Sequence, residues 1–295
     1  VFFVILFGVP ESTPLPGRRL DLVGFTLLTL ALLLITSGLT FLRINGPETW
    51  WVWALIALGA LMFVPFGAFE LRQPDPAIDI RVLRRPTMWP VMVTAGLVGI
   101  SLLGAQAPLA TFAGTDPVNG YGLGLAAGSI SVLIGVYLIS MIAGALLYPL
   151  LSRLTTPRIA LIGATFLVAV GYALFLPFHD ETWQVFLNMF IAGVGSGALV
   201  GAMPAAAAAA APPGQTGIAA ALTNTTKTIG GSFASCIFGV ALAAGATHAT
   251  AASLSGYYTV WIVCSATAFV AAVGLTFVPR LAFADPAGIE EEIGR

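Results

Sequence analysis

The sequence predicts an all-α, polytopic membrane protein, and three observations carry that prediction. Of 295 residues, 58% are hydrophobic and only 8% are charged, with a mean hydropathy of +0.96. Eight apolar runs reach spanning length, about 18 to 20 residues. Those runs are continuously apolar rather than alternating, which favours helices over the strands of a barrel. Soluble domains carry about a quarter charged residues. With 12 Lys and Arg against 13 Asp and Glu, this chain can neither solvate a globule of its size nor build a phosphate-binding face. A water-soluble enzyme, a nucleic-acid partner and intrinsic disorder are thereby excluded.

The elements follow in order. Segment 1–9 is apolar up to Pro10, with no basic residues before it and no small-residue cleavage site behind it, so it is read as a transmembrane helix truncated at its start rather than a signal peptide. Spans are then drawn at 21–42, 50–70, 88–113, 123–151, 158–178, 184–210, 217–244 and 256–279. Turn chemistry falls between them: Pro14 and Pro16 with Gly17, Gly46-Pro47, Pro74 and Pro76, Asp116-Pro117 with Asn119-Gly120, Pro157, and Pro212-Pro213-Gly214. The alanine run 205–211 continues a helix and is given no chemistry. This divides the chain into the truncated helix 1–9, a linker and two helices over 10–87, a six-helix bundle over 88–279 and a tail over 280–295.

Basic residues orient the spans. If 1–9 enters the cytoplasm, the cytoplasmic side carries Arg18, Arg19, Arg72, Arg81, Arg84, Arg85, Arg153, Arg158, Lys227, Arg280 and Arg295, whereas only Arg43 lies outside. That bias alternates correctly across every connection, as the positive-inside rule requires.

Soluble-enzyme signatures are missing, and no catalytic residue or metal site is assigned. Cys236 and Cys264 sit in apolar runs as small packing residues. His179 and His248 are expected to be solvated loop histidines, and every Asp and Glu falls in a loop or at a helix end. Small residues recur at four-residue spacing: Gly193, Gly197 and Gly201 on one helix, Gly124 with Gly128 and Ser140 with Gly144 on another, and Gly231, Ser235 and Gly239 on a third. Such faces let helix backbones approach closely, for static packing or for rocking. Polar residues within spans either bond neighbouring helices or line a cavity. The cavity candidates are Gln106, Tyr137, Asn188 and Asn224. Gln106 leads them because Gly104 and Pro108 loosen its backbone. Lys227 either snorkels to the cytoplasmic face or takes part in a gating ion pair.

These residues resemble the fourteen-span drug:proton antiporters of the major facilitator superfamily. Val9-Pro10-Glu11-Ser12 resembles the closing signature of that family's sixth span. Asp21-Leu22-Val23-Gly24 is similar to the start of its first inserted helix, and Phe69-Glu70-Leu71-Arg72 with Pro76 and Asp79-Ile80-Arg81 to the exit from its second. The stretch from Pro149 through Arg153, Pro157 and Arg158 to Gly163 resembles the superfamily's cytoplasmic hairpin. Gly193-x-Gly195-x-Gly197 and the run Gly217, Asn224, Lys227, Gly230-Gly231 resemble the next two signatures. Two positions depart from the pattern: Thr155-Thr156 replace the hairpin's usual Asp, and Lys227 stands where Arg is more frequent.

The resemblance implies a major facilitator-type six-helix bundle preceded by a two-helix insert and a truncated span, in the plasma (inner) membrane. It implies proton-driven efflux of hydrophobic or cationic drug-like compounds. Its cofactors are none beyond the ion gradient, and its partners are the lipid bilayer, small hydrophobic substrates and a missing N-terminal six-helix bundle. Arg153, Arg158 and Lys227 become gating or hairpin candidates. The coupling carboxylates are expected in the six helices the family places first, so these 295 residues alone are not expected to run proton-coupled transport. Two other readings stay open: a non-transporting accessory or structural membrane protein, and an exporter of a lipid or metabolite with the same fold. The topology is directly testable. A cysteine at Asn119 should react with an impermeant thiol reagent applied outside, and one at Thr155 only after the membrane is opened; reversed labelling would overturn the span assignment.

Overall fold

In hydrocarbon a backbone must satisfy its own polar groups, so apolar runs become helices. The computed structural model describes residues 21–73, 76, 78, 80–83, 88–211, 216–243 and 252–277. The truncated segment 1–9, the signature at Val9 to Ser12, His248, the prolines 212 and 213 and the tail 280–295 lie outside these residues. Regular structure among the described residues is helical throughout: α1 (Leu22–Asn45), α2 (Trp50–Glu70), the short α3 (Ile80–Leu83), α4 (Trp89–Gly99), α5 (Gln106–Gly114), α6 (Ala127–Leu154), α7 (Pro157–Ala173), α8 (Thr182–Ala210), α9 (Thr216–Ala243) and α10 (Leu254–Phe277). Among the described residues seven helical stretches are long and apolar enough to cross a membrane, α4 and α5 counting as one, and α7 is a shorter apolar helix. The protein is an all-α polytopic membrane protein.

Local chemistry sets the helix ends. Asp21 caps α1, its Oδ1 accepting the Gly24 N–H at 2.8 Å. Gly46 ends the same helix at φ +80°, a conformation costly for any residue with a Cβ. The α6–α7 hairpin is only Thr155 and Thr156; the Thr156 hydroxyl accepts the Ile159 N–H at 3.2 Å, and Pro157 takes the first helical position. Glu181 and Gln184 form a reciprocal capping box at the start of α8.

The run 88–113 stays one spanning stretch, Trp89–Gly114, and within it a π-helical turn that the sequence reading did not foresee, Ile100–Gly104, separates α4 from α5. Apolar periodicity cannot register one extra residue in a helix that is buried on most sides.

The bundle is closed by glycine. A Cβ added at Gly197 would fall on the Met141 carbonyl, one at Gly144 on the Val194 carbonyl, and one at Gly193 on the Ser140 hydroxyl, so α6 and α8 touch backbone to backbone. Gly195, on another face of α8, meets the Ala164 carbonyl of α7 at 2.5 Å from the added Cβ. Gly230 and Gly231 bring α9 onto Gly96, Gly99 and Leu103. Gly201 is looser, with Ala145 at 3.7 Å, and Gly239 is half-buried. Two further helices pair with each other: Gly38 of α1 packs on Ile56 of α2, and Gly59 of α2 on Ile35. That pair meets the bundle where α1 lies against α9. Large aliphatics such as Leu138, Ile142 and Leu146 of α6 stay exposed, as a lipid-facing wall requires.

Glycine-to-alanine changes separate packing from helix propensity. Alanine gains about 1 kcal/mol of propensity at any helical site. At Gly163, where nothing lies within 4 Å, that gain should appear as an unchanged or raised Tm in detergent. At Gly197, overpacking of about 1–3 kcal/mol should outweigh it and lower Tm. Equal Tm values for the two variants would mean that α6 and α8 do not depend on this close approach.

Candidate functional site

On α9 the sequence from Thr223 to Thr228 is polar, and the fold leaves one side of it uncovered. Asn224, Thr225 and Thr228 are exposed. Thr225 and Thr228 give their hydroxyl protons to the Ala221 and Asn224 carbonyls of their own helix, at 3.2 and 2.8 Å. Their methyl groups are therefore what a neighbour meets. The Lys227 ammonium donates to Asn224 Oδ1 at 2.9 Å. It reaches one turn back toward the α9 N-terminus, the direction in which helical side chains lean and in which a snorkelling lysine escapes hydrocarbon. Asn224, Thr225 and Thr228 line a cavity of about 350 Å³ whose far wall is Leu32, Ile35 and Thr36 of α1. A second cavity, about 400 Å³, runs between α2, α4 and α9 past Phe66, Trp89, Met92 and Thr226.

The second polar surface is on α5. Gln106 is its first residue, directly after the π-helical break, and it is exposed together with Ala107, Thr111 and Gly114, whereas Pro108, Leu109, Phe112 and Ala113 turn inward. At the far end of α5 a more polar cavity of about 430 Å³ is bounded by Thr111, Thr115, Asp116 and Asn119.

The four polar candidates thus separate. Gln106 and Asn224 lie on open faces. Tyr137 is buried inside the bundle on α6, beside Tyr172 of α7 and Ser196 of α8, and borders none of the three cavities. Asn188 is buried as well, and its amide donates to the Phe178 carbonyl at 2.7 Å, tying the turn after α7 to α8. Of the hairpin arginines, Arg153 is exposed in the last turn of α6. Arg158 donates through Nε to the Leu275 carbonyl at 3.1 Å and through Nη2 to the Thr276 carbonyl, capping the C-terminus of α10.

Two features escaped the sequence reading. His179, expected to be solvated, is only 8% exposed. Its ring lies 5.2 Å from Trp261, 5.5 Å from Tyr258 and 6.0 Å from Phe112, and its Nε2 is 3.4 Å from the Tyr258 hydroxyl and 3.7 Å from Asp180 Oδ1. Phe112 is in turn 5.2 Å from both Tyr257 and Trp261. The Tyr257, Tyr258 and Trp261 spacing on α10 carried the signal, since residues four apart share a helix face. The other is Glu70, at a helix end but 2% exposed, where its Oε2 accepts the Ile78 N–H at 3.4 Å. Among the described residues no cluster of three or more His, Cys, Asp or Glu could hold a metal ion.

Residues 106–283, more than half of the chain, match the Sugar (and other) transporter family. The puromycin resistance protein pur8 of Streptomyces alboniger is 30% identical over 225 residues, 70% of this chain and 40% of pur8. The chain belongs to the major facilitator superfamily. The quinolone resistance protein NorB of Staphylococcus aureus (strain Newman) is 27% identical over 261 residues, 86% of this chain and 54% of NorB. YfiU of Bacillus subtilis (strain 168), described as an uncharacterized MFS-type transporter, is 27% identical over 213 residues, 68% of this chain and 39% of YfiU. This superfamily member therefore spans about half or less of the length of the relatives it matches.

The two hairpin arginines make different predictions. Arg158→Gln removes the cap on α10 and should cost about 1–2 kcal/mol, read as a fall in Tm in detergent, because a charged donor to two helix-end carbonyls is lost. Arg153→Gln should leave Tm unchanged within error. A reversed order would mean that α10 ends without help from the hairpin.

Proposed function

We propose that this chain is the C-terminal portion of a secondary active transporter of the plasma (inner) membrane, one that exports hydrophobic or cationic drug-like compounds by alternating access and draws its energy from a proton gradient. The observation that carries the reading is the pair of exposed amides, Gln106 on α5 and Asn224 on α9, the latter accepting from Lys227. An amide facing lipid is costly, whereas one facing a second bundle or a wet cavity finds partners. An N-terminal six-helix bundle placed over α5 and α9 would enclose these surfaces as one wall of a substrate path. The names of pur8 and NorB as resistance proteins support export as the direction and drug-like compounds as the cargo.

Coupling to protons needs a group that binds and releases them from alternate sides. In this reading that carboxylate belongs to the upstream bundle, and Lys227 with Asn224 forms the polar contact on the C-terminal side. Of the two inserted helices, α1 forms the outer wall of the cavity beside Asn224, and α2 borders the second cavity.

Reconstituted proteoliposomes test the assignment. The chain joined to an upstream six-span half should drive dye efflux that an uncoupler abolishes, and the 295 residues alone should give none. In the joined protein, Gln106→Ala should alter the relative rates for different compounds at near-normal protein levels. Gradient-driven flux from the 295 residues alone would refute the assignment of coupling to the upstream bundle. A Gln106→Ala protein that loses its expression but keeps its profile would make Gln106 a packing residue.

A further inference from the structure

The break between α4 and α5 joins two segments that are each anchored separately. Upstream, Gly96 and Gly99 lie against the backbone of Gly230 and Lys227, so α4 cannot turn on α9 without a collision. Downstream, Phe112 is held among Tyr257, Trp261 and His179. Between the anchors the chain makes the π-helical turn Ile100–Gly104, which carries one residue more than an α-helical turn. Regularising that turn to α-helix with every residue kept would rotate everything downstream by about 100° and move it about 1.5 Å along the axis. Ala107 and Thr111, which now face out, would take the buried places of Pro108 and Phe112, and Leu109 would move to the half-buried place of Ala110.

Shifting a carbonyl from its α-helical donor leaves it in need of a partner, which in hydrocarbon the protein itself must supply. That partner is visible. Tyr172 of α7, 2% exposed, donates its hydroxyl to the carbonyl of Ser101 at 2.7 Å, inside the π-helical turn. Ser101 is itself fully buried, and its own hydroxyl turns back to the Val98 carbonyl at 3.1 Å. The tyrosine contact is a cross-helix hydrogen bond made to the backbone of the break, so it acts on the register of the helix rather than on a neighbouring side chain.

We propose that Tyr172 is a positioning residue: by holding the Ser101 carbonyl it keeps Ile100–Gly104 in π register and so sets which face of α5 the transporter presents to its substrate path. The register claim stands on the structure by itself, and only its effect on transport rests on the function proposed above. Two readouts separate them.

The register is read by thiol labelling in the joined, membrane-embedded transporter, with Cys236 and Cys264 replaced by alanine and single cysteines placed at Thr111 or Leu109. The parent should label several-fold faster at position 111 than at position 109. Tyr172→Phe, which keeps the ring and removes only the hydroxyl, should shrink or invert that ratio. Deleting Gly104 as well, which removes the residue that the π turn accommodates, should return the Tyr172→Phe protein to the parent ratio, because a regular α turn one residue shorter leaves the flanking helices facing as before. An unaltered ratio in Tyr172→Phe overturns the proposal. If Tyr172→Phe is not recovered as a monodisperse protein, the double variant with Gly104 deleted decides: recovery with the parent ratio supports the proposal, and an altered ratio or a failure to recover it overturns the proposal. Transport is scored separately. An altered labelling ratio with an unchanged export profile would leave Tyr172 in its positioning role and remove α5 from the path.

Discussion

In the hydrocarbon core of a membrane every peptide group must find its partner within the protein, and the rest of this architecture depends on that requirement. It makes the described secondary structure wholly helical. It turns the threonine hydroxyls of α9 back onto their own helix. It also accounts for the tyrosine found at the π-helical turn of a spanning helix. Where the chain leaves a helix, the same rule brings in Asp21, Thr156, Gln184 and Arg158 as caps.

With hydrogen bonds settled inside each helix, association between helices is left to contact. Lipid tails are as apolar as leucine, so burying leucine gains little in this solvent, and close backbone approach gains more. The glycines of α8 show how completely the chain uses this, since Gly193 and Gly197 face α6 while Gly195 faces α7. A helix with small residues on two faces can sit at the centre of a bundle, and α8 is buried from Gly195 to Leu199 without interruption. Its neighbour α6 keeps its bulk for the outside.

Most of the architecture was legible in the sequence because length and hydropathy are properties of a single segment. The run 50–70 became α2 residue for residue, and the shortened hairpin turn at Thr155-Thr156 appeared as such. Properties that belong to pairs of segments were not legible. Asn188, Tyr137 and Gln106 look alike in a one-dimensional reading, as polar residues in apolar runs, yet one fastens a turn, one is enclosed in the bundle and one lies on an open face. His179 was misjudged for the same reason: its surroundings come from α5 and α10, far away in the chain. Glu70 satisfied the rule that acids lie at helix ends, and the rule said nothing about whether that end was covered.

The two ends of the bundle are fastened by different means. At the hairpin end, α6 passes into α7 through two residues, and the guanidinium of Arg158 grips two carbonyls of α10, so three helix ends are joined by short covalent and directional links. At the opposite end, α5, the turn after α7 and α10 meet chiefly through ring faces and edges around His179. Directional bonds fix single atoms, whereas interlocked rings hold through many weak contacts at once. A single substitution at Arg158 can therefore unfasten the hairpin end, while the aromatic end spreads its hold over Phe112, His179, Tyr257, Tyr258 and Trp261.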